Sequence, residues 1–217
     1  MTTELTECPN CSTKFKGGLL SSVSLLNDNK TRIINEYHEN KSVGYCNKCG
    51  SELYSKYKSQ VQSERDNVSL NMQKLIDVVP VISTHSPLNW DYDILSMVTG
   101  QSTTGTGVIS EFTSSFTDLF GAQSGRFNKK LKGGEDLCFA QLRKQALDLG
   151  GNAVIATDID YSEVGGDKGI LMVCMGGTAI NLKNSSLLGI DRADKIKELA
   201  VLNARMKVLN SFDTGEF

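Results

Sequence analysis

Four of the six cysteines in this 217-residue chain fall into two Cys-x-x-Cys pairs, Cys8-Pro-Asn-Cys11 and Cys46-Asn-Lys-Cys49, separated by 34 residues. Two thiolates in one such turn can bind a single ion without strain. Four together fill the tetrahedral shell of Zn2+, a d10 ion with a strong preference for ionised sulfur. The predicted site is structural, with Cys8, Cys11, Cys46 and Cys49 as metal ligands, because four sulfurs leave no open position for water. Gly50 follows the second pair and is expected to permit a tight turn. A thioredoxin-like redox use of either pair lacks its context, since neither opens a helix after a strand. His38, in Glu36-Tyr37-His38-Glu39, is an alternative ligand, but with four cysteines at hand a solvent-exposed side chain is the simpler expectation. Cys138 and Cys174 sit in apolar runs and are expected to be small core residues.

Composition agrees with a metal role for the paired cysteines. The chain is 39% hydrophobic and 22% charged, with net charge -2 and pI near 5.8, the profile of a soluble globular protein without a global pull toward nucleic acid or anionic membrane. Met1 to Glu7 is polar and no apolar signal-peptide core follows it, so the expected address is the cytoplasm, where paired cysteines indicate metal rather than disulfides. The longest apolar run, Gly169 to Ile180, is too short to span a bilayer.

The elements that must position the cysteines are read from periodicity. Residues 1–52 form a cysteine-bracketed module with too little apolar mass to fold without a staple. It resembles zinc ribbons, which implies strands in the intervening stretch, at Gly18 to Leu26 and Thr31 to Tyr37. Leu53, Tyr57, Val61, Val68, Met72, Leu75 and Val79 recur at helical spacing and predict an amphipathic linker helix over 53–79, ended by Pro80.

Beyond Pro80 the text changes. Strands are expected at Val81 to Thr84 and Trp90 to Thr99, then a glycine- and threonine-rich stretch, Gly100 to Gly107, and a short helix carrying Ile109, Phe112, Phe116 and Leu119. A longer helix, about Phe127 to Leu149, carries Leu131, Cys138 and Leu142 on one face. Gly133 and Gly134 interrupt it, which points to close packing, and Gly150-Gly151 stops it. Two strands follow, Asn152 to Glu163 and Gly169 to Ile180, joined by Gly165-Gly166-Asp167. The second is apolar on both faces, so it is expected to be covered on both sides, by helices or by another subunit. A polar linker then leads to a helix with Ile196, Leu199, Leu202 and Met206 on one side.

Several blocks in this half occur together and in order. They are Ile82-Ser83-Thr84, Met97-Val98-Thr99-Gly100-Gln101, Phe120-Gly121-Ala122-Gln123-Ser124-Gly125, Ala146 to Val154, Asp158-Ile159-Asp160-Tyr161 and Leu171 to Ala179. In them the segment Val81 to Leu182 resembles the YbjQ-like family, known by a heavy-metal-binding label. The resemblance implies an α+β fold, an antiparallel sheet with helices on one face, and assembly into a homo-oligomeric ring, a homopentamer. It divides the chain into a zinc ribbon at 1–52, a linker helix at 53–79, a ring-forming domain at 80–183 and a C-terminal helix at 184–217. The metal label finds few ligands: one histidine, His85, two isolated cysteines, and the carboxylates Asp158, Asp160 and Glu163, the first two sharing a strand face. Lys132-Gly133-Gly134 departs from the more basic, helix-favouring residues usual there.

No nucleophile and base stand in a recognisable catalytic order, and Gly100-x4-Gly105-Thr106-Gly107 lacks the Lys-Ser/Thr of a phosphate loop. The expectation is a non-enzyme: a binding or assembly module that meets a protein partner through the ribbon or the C-terminal helix. The alternatives are a metal-handling protein using the ring carboxylates, and a nucleic-acid-binding ribbon. Residues 1–60 carry eight Lys/Arg against six Asp/Glu, a net of +2. That is too mild for a nucleic-acid footprint, and aromatics in the module at 1–52 are sparse (Phe15, Tyr37, Tyr45).

Overall fold

The computed structural model describes residues 5–15, 23–103, 125–164 and 170–215. The predicted helix at 109–119, most of the glycine-rich stretch and the turn at Gly165 to Asp167 lie outside them. The elements are helices α1 (Asp28–Tyr37), α2 (Asn47–Leu75), α3 (Gly125–Asp148) and α4 (Ile190–Asn210), and strands β1 (Tyr92–Thr103), β2 (Ala153–Val164) and β3 (Ile170–Leu182). The chain divides into two compact units, residues 1–71 with 204–217, and residues 72–203.

In the first unit, the segment read as the strand Thr31 to Tyr37 is helical instead. Asn27 caps α1 by accepting the Lys30 amide at 2.9 Å, and Asp28 adds a negative charge to its first turn. These local terms outweigh the β-branched Thr31, Ile33 and Ile34. Ile33, Ile34, Tyr45 and Val61 are fully buried. Arg205 of α4 donates to both carboxylate oxygens of Glu64 at 2.6 and 2.9 Å and also pairs with Glu36. Arg65 of α2 donates to the carbonyls of Leu209 and Phe212 at 2.7 and 2.6 Å, satisfying acceptors that the end of α4 leaves open. α2 itself begins at Asn47, several residues ahead of the periodicity read from Leu53, and so takes in Cys49, with Cys46 immediately before it. Tyr57, Val61, Val68 and Met72 of its apolar stripe are buried.

The second unit is a three-stranded antiparallel sheet in the order β1-β3-β2, with α3 packed across β1 and β3. Val98, Val173, Met175 and Ala179 meet Cys138, Leu142 and Ala146 of α3 in one core. The helix approaches closely because glycines stand at the contact. A Cβ on Gly100 would lie 2.7 Å from the Cys138 carbonyl, and one on Gly134 would lie 3.1 Å from Val173. Gly133 faces open space, so the close packing read from this pair holds for Gly134 alone. At the end of α3, Gly150 takes φ +84, Gly151 N–H reaches Ala146 O at 2.7 Å and Gly150 N–H reaches Leu147 O at 3.0 Å, a Schellman stop.

β3 is covered unevenly. α3 buries one face, and a second cluster of Ala153, Ile155, Ile180 and Leu182 with Ile82, Trp90, Tyr92 and Leu188 covers one end of the other. Cys174, Gly176 and Thr178 are only half-buried, so within one chain the cover of this strand is partial and Cys174, read as a core residue, is not one. The predicted strand Val81 to Thr84 is reduced to an isolated parallel bridge, Val81 to Val154, supported by amide bonds along β2. Gly100 to Thr103 extends β1 rather than starting a loop. The outer edge of β1 is closed by two glutamines one helical turn apart on α3. Gln145 exchanges hydrogen bonds with both backbone groups of Thr99 (3.2 and 2.5 Å), and Gln141 does so with Gln101 (2.9 and 3.2 Å). A four-residue helical rise of about 6 Å nearly matches two strand residues, so side-chain amides take the place of a further strand.

Candidate metal centre

The first cysteine pair sits in a short hairpin. Glu7 bridges Lys14, Cys8 N–H reaches Thr13 O at 2.8 Å, Ser12 N–H reaches Cys8 O at 2.8 Å, and Ser12 adopts φ 57 to close the turn. The second pair is held by an antiparallel bridge from Leu25 to Cys46 and by the start of α2, where Gly50 N–H bonds Cys46 O at 2.7 Å. Gly50 lies inside the first turn of α2 and its role is one of space. A Cβ there would stand 2.6 Å from Leu26 Cδ1 and 2.7 Å from Tyr45 Cβ, so its use is packing, not the special turn conformation expected of it.

The four Sγ atoms lie within 4.8 Å of one another. Cys8 and Cys49 are 3.7 Å apart, Cys11 and Cys46 3.6 Å, and Cys46 and Cys49 3.6 Å. A regular tetrahedron with Zn–S bonds of about 2.3 Å has edges of about 3.8 Å, so the donor set fits that ion in number, kind and spacing. Cys8 and Cys46 are buried, Cys49 is half-buried and Cys11 is exposed. The Cys46 amide donates to Cys8 Sγ at 3.2 Å, and the Asn10 side chain donates to Cys49 Sγ at 3.5 Å. As free thiols these groups diverge. Hydrogen bonds from the side chain and backbone of Thr13 bring Cys11 down to about 6, while burial pushes Cys49 up to about 12. A bound cation reverses that burial effect by favouring thiolate at every corner.

Sequence reading found the four cysteines and missed the groups that bond to them: Asn10, Thr13 and the Cys46 amide. Asn10 lies inside the first pair and Thr13 two residues beyond it, so their proximity to sulfur was the available signal. His38 is not at the cluster, and it is half-buried rather than exposed. Its Nδ1 lies 3.1 Å from the Tyr57 hydroxyl, and its ring packs against Tyr45 and Tyr57.

In the sheet unit, register places Asp158 opposite Gly176 and Asp160 opposite Cys174, so both carboxylates share the face away from α3 and both are exposed. Asp160 accepts the Tyr161 amide at 2.9 Å. Among the described residues these groups join no cluster of three metal donors; the four cysteines do. Cys138 is buried, its thiol bonded to Val173 O at 3.5 Å and pushed up to about 11 by burial, a setting that disfavours a nucleophile.

Residues 81–183 match the YbjQ-like family model. That family is described as "putative heavy-metal-binding". A crystal structure of a protein of unknown function from the DUF74 family of Pediococcus pentosaceus ATCC 25745 is similar over 48% of this chain and 96% of that one, at 17% identity and a TM-score of 0.35. The chain thus joins a YbjQ-like segment to a separate four-cysteine cluster able to hold a metal, and the cluster lies outside the matched residues. Among the described residues no helix is long and apolar enough to cross a membrane.

Proposed function

We propose that this is a non-catalytic cytoplasmic protein in which a structural Zn2+ ribbon is joined to a YbjQ-like assembly domain. The observation that carries the zinc reading is the convergence of four Sγ atoms within 4.8 Å from two segments distant in sequence. The ion, when bound, supplies a tetrahedral cross-link between the hairpin at residues 7–14 and the start of α2. The chain's own residues do the rest: Gly50 admits Leu26 and Tyr45 against the helix start, and the Cys46 amide and the Asn10 side chain donate to sulfur. The complete sulfur shell favours a structural over a catalytic use, because no coordination position is left for substrate or water.

Assembly is supported by the YbjQ-like resemblance and by exposed apolar side chains on β1. Met97 is 73% and Ile94 70% exposed, surface that a neighbouring copy would cover. A homopentameric ring would display five ribbons and five C-terminal segments, so a weak contact with a protein partner made by one copy becomes avid. Native mass spectrometry of the intact protein reads subunit count and metal together. One zinc per chain in a pentamer is the expected result. A second ion per chain would point to the Asp158 and Asp160 face, and a metal-free monomer would overturn the proposal.

A further inference from the structure

The four corners of the cysteine cluster are protected to different degrees. Cys8 and Cys46 are shielded by burial at 1% and 0% exposure, and Cys49 is half-buried under the Asn10 amide. Cys11 is exposed, and its polar side-chain partner beyond the other cysteines is the Thr13 hydroxyl, at 3.1 Å. A metal-bound thiolate carries no proton, so in the loaded site the hydroxyl is the donor. Thr13 is held in place for that task. Its carbonyl accepts the Cys8 amide at 2.8 Å, and its neighbour Lys14 closes the hairpin against Glu7. A hydrogen bond to a bound sulfur withdraws charge from it, which strengthens retention of the ion and weakens the sulfur as a nucleophile.

We infer that Cys11 is the corner at which the loaded site opens to electrophiles, and that Thr13 is a positioning residue that restrains it. The inference rests on the zinc reading above. Soft electrophiles, whether alkylating agents or thiophilic heavy-metal ions, then meet the cluster at Cys11 before any other sulfur. Alkylation there forms a carbon–sulfur bond with the thiolate electron pair and expels the leaving group as an anion. The ion keeps three protein ligands and exchanges readily.

The test uses the full-length zinc-loaded protein, a limiting amount of iodoacetamide, and mass spectrometry of quenched peptides alongside a colorimetric chelator that reports zinc release. In the unaltered protein Cys11 should be labelled first among the four cluster cysteines and zinc release should follow it. Thr13→Val should raise both rates roughly tenfold, the change expected for losing one hydrogen bond to a charged group. Thr13→Ser, which keeps the hydroxyl, should restore the original rates. Labelling that begins at Cys49, or an unchanged rate in Thr13→Val with zinc still bound, overturns the role of Cys11 and Thr13 while leaving the zinc reading intact. Protein that holds no zinc at the outset overturns both. The labelling order in the unaltered chain decides the role of Cys11 even if Thr13→Val folds poorly.

Discussion

The two units of the chain solve the same problem by different means. In the sheet unit, cohesion comes from area: Leu142, Val98, Val173 and Met175 form a dry layer, and Gly100 and Gly134 let helix and sheet approach. The cysteine module instead concentrates cohesion at points, in four sulfurs and in polar links such as Asn35 to Tyr45 and Ser42. Area-based cohesion degrades gradually when one side chain is trimmed. Point-based cohesion fails when one point is lost.

Metal removal should break that comparison open most clearly. Chelation, or Cys49→Ser, is expected to abolish amide protection over residues 5–15 and 23–47 while β1, β2 and β3 keep theirs, since structural zinc sites contribute on the order of 10 kcal/mol. Hydrogen–deuterium exchange with peptide resolution makes the measurement. Equal loss in both units would show that the module and the sheet fold as one.

Trimming the apolar layer is the next largest effect. Leu142 is fully buried against the sheet, so Leu142→Ala should cost about 3 kcal/mol. Zinc content per chain should stay unchanged. Denaturant unfolding paired with metal analysis would check both halves, and loss of zinc in this variant would mean that the two kinds of cohesion are coupled.

The polar points of the first unit can be weakened one at a time. Arg205→Ala removes the partner of Glu64 and Glu36, and the cost should be about 1–2 kcal/mol, moderated by side chains that stay 29% and 31% exposed in the Arg205–Glu64 pair. Bonding to Arg205, with help from the Tyr37 hydroxyl, holds Glu64 below the ordinary carboxylate range. A carboxylate depressed in the folded state adds stability that is complete above its unfolded value, near pH 4.3, and is lost as pH falls through the depressed one. The gap between the two proteins should therefore be constant above about pH 5 and shrink below about pH 4. A gap that persists at low pH would assign Arg205 a packing role.

Where the sequence could be read, and where it could not, follows the same division. Periodic apolar patterns marked α2 and α3 because burial of a face repeats along an element, while a continuous apolar run marked β3. The cysteine pairs were legible because metal ligation demands a residue type as well as a spacing. Thr31 to Tyr37 read as a strand because the ribbon resemblance implies strands between the two cysteine pairs, yet the cap at Asn27 and the charge of Asp28 decide it as helix. Long-range side-chain links leave no local pattern, so Arg65 on Leu209 and Phe212 and the glutamines on β1 were invisible. Individual hydrogen bonds to sulfur were equally hidden.

The finest test lies within one pair of neighbours. Gly133 and Gly134 are adjacent in α3, and propensity alone predicts that replacing either by alanine stabilises the helix by about 1 kcal/mol. Their surroundings differ. A Cβ on Gly133 meets nothing within 4 Å, so Gly133→Ala should yield the full helical gain. A Cβ on Gly134 would sit 3.1 Å from Val173 Cγ2 and 3.5 Å from Ser102 Oγ, and Val173 is fully buried in the layer beneath. Little room remains for that methyl to retreat, so Gly134→Ala should gain nothing or lose up to about 1 kcal/mol as the packed layer shifts. Thermal unfolding of the two variants therefore measures area-based cohesion against local propensity one residue apart. Equal stabilisation by both would mean that the contact between α3 and β3 is looser than the fully buried Val173 implies. Its tightness would then have to come from Gly100 and the glutamine bonds to β1.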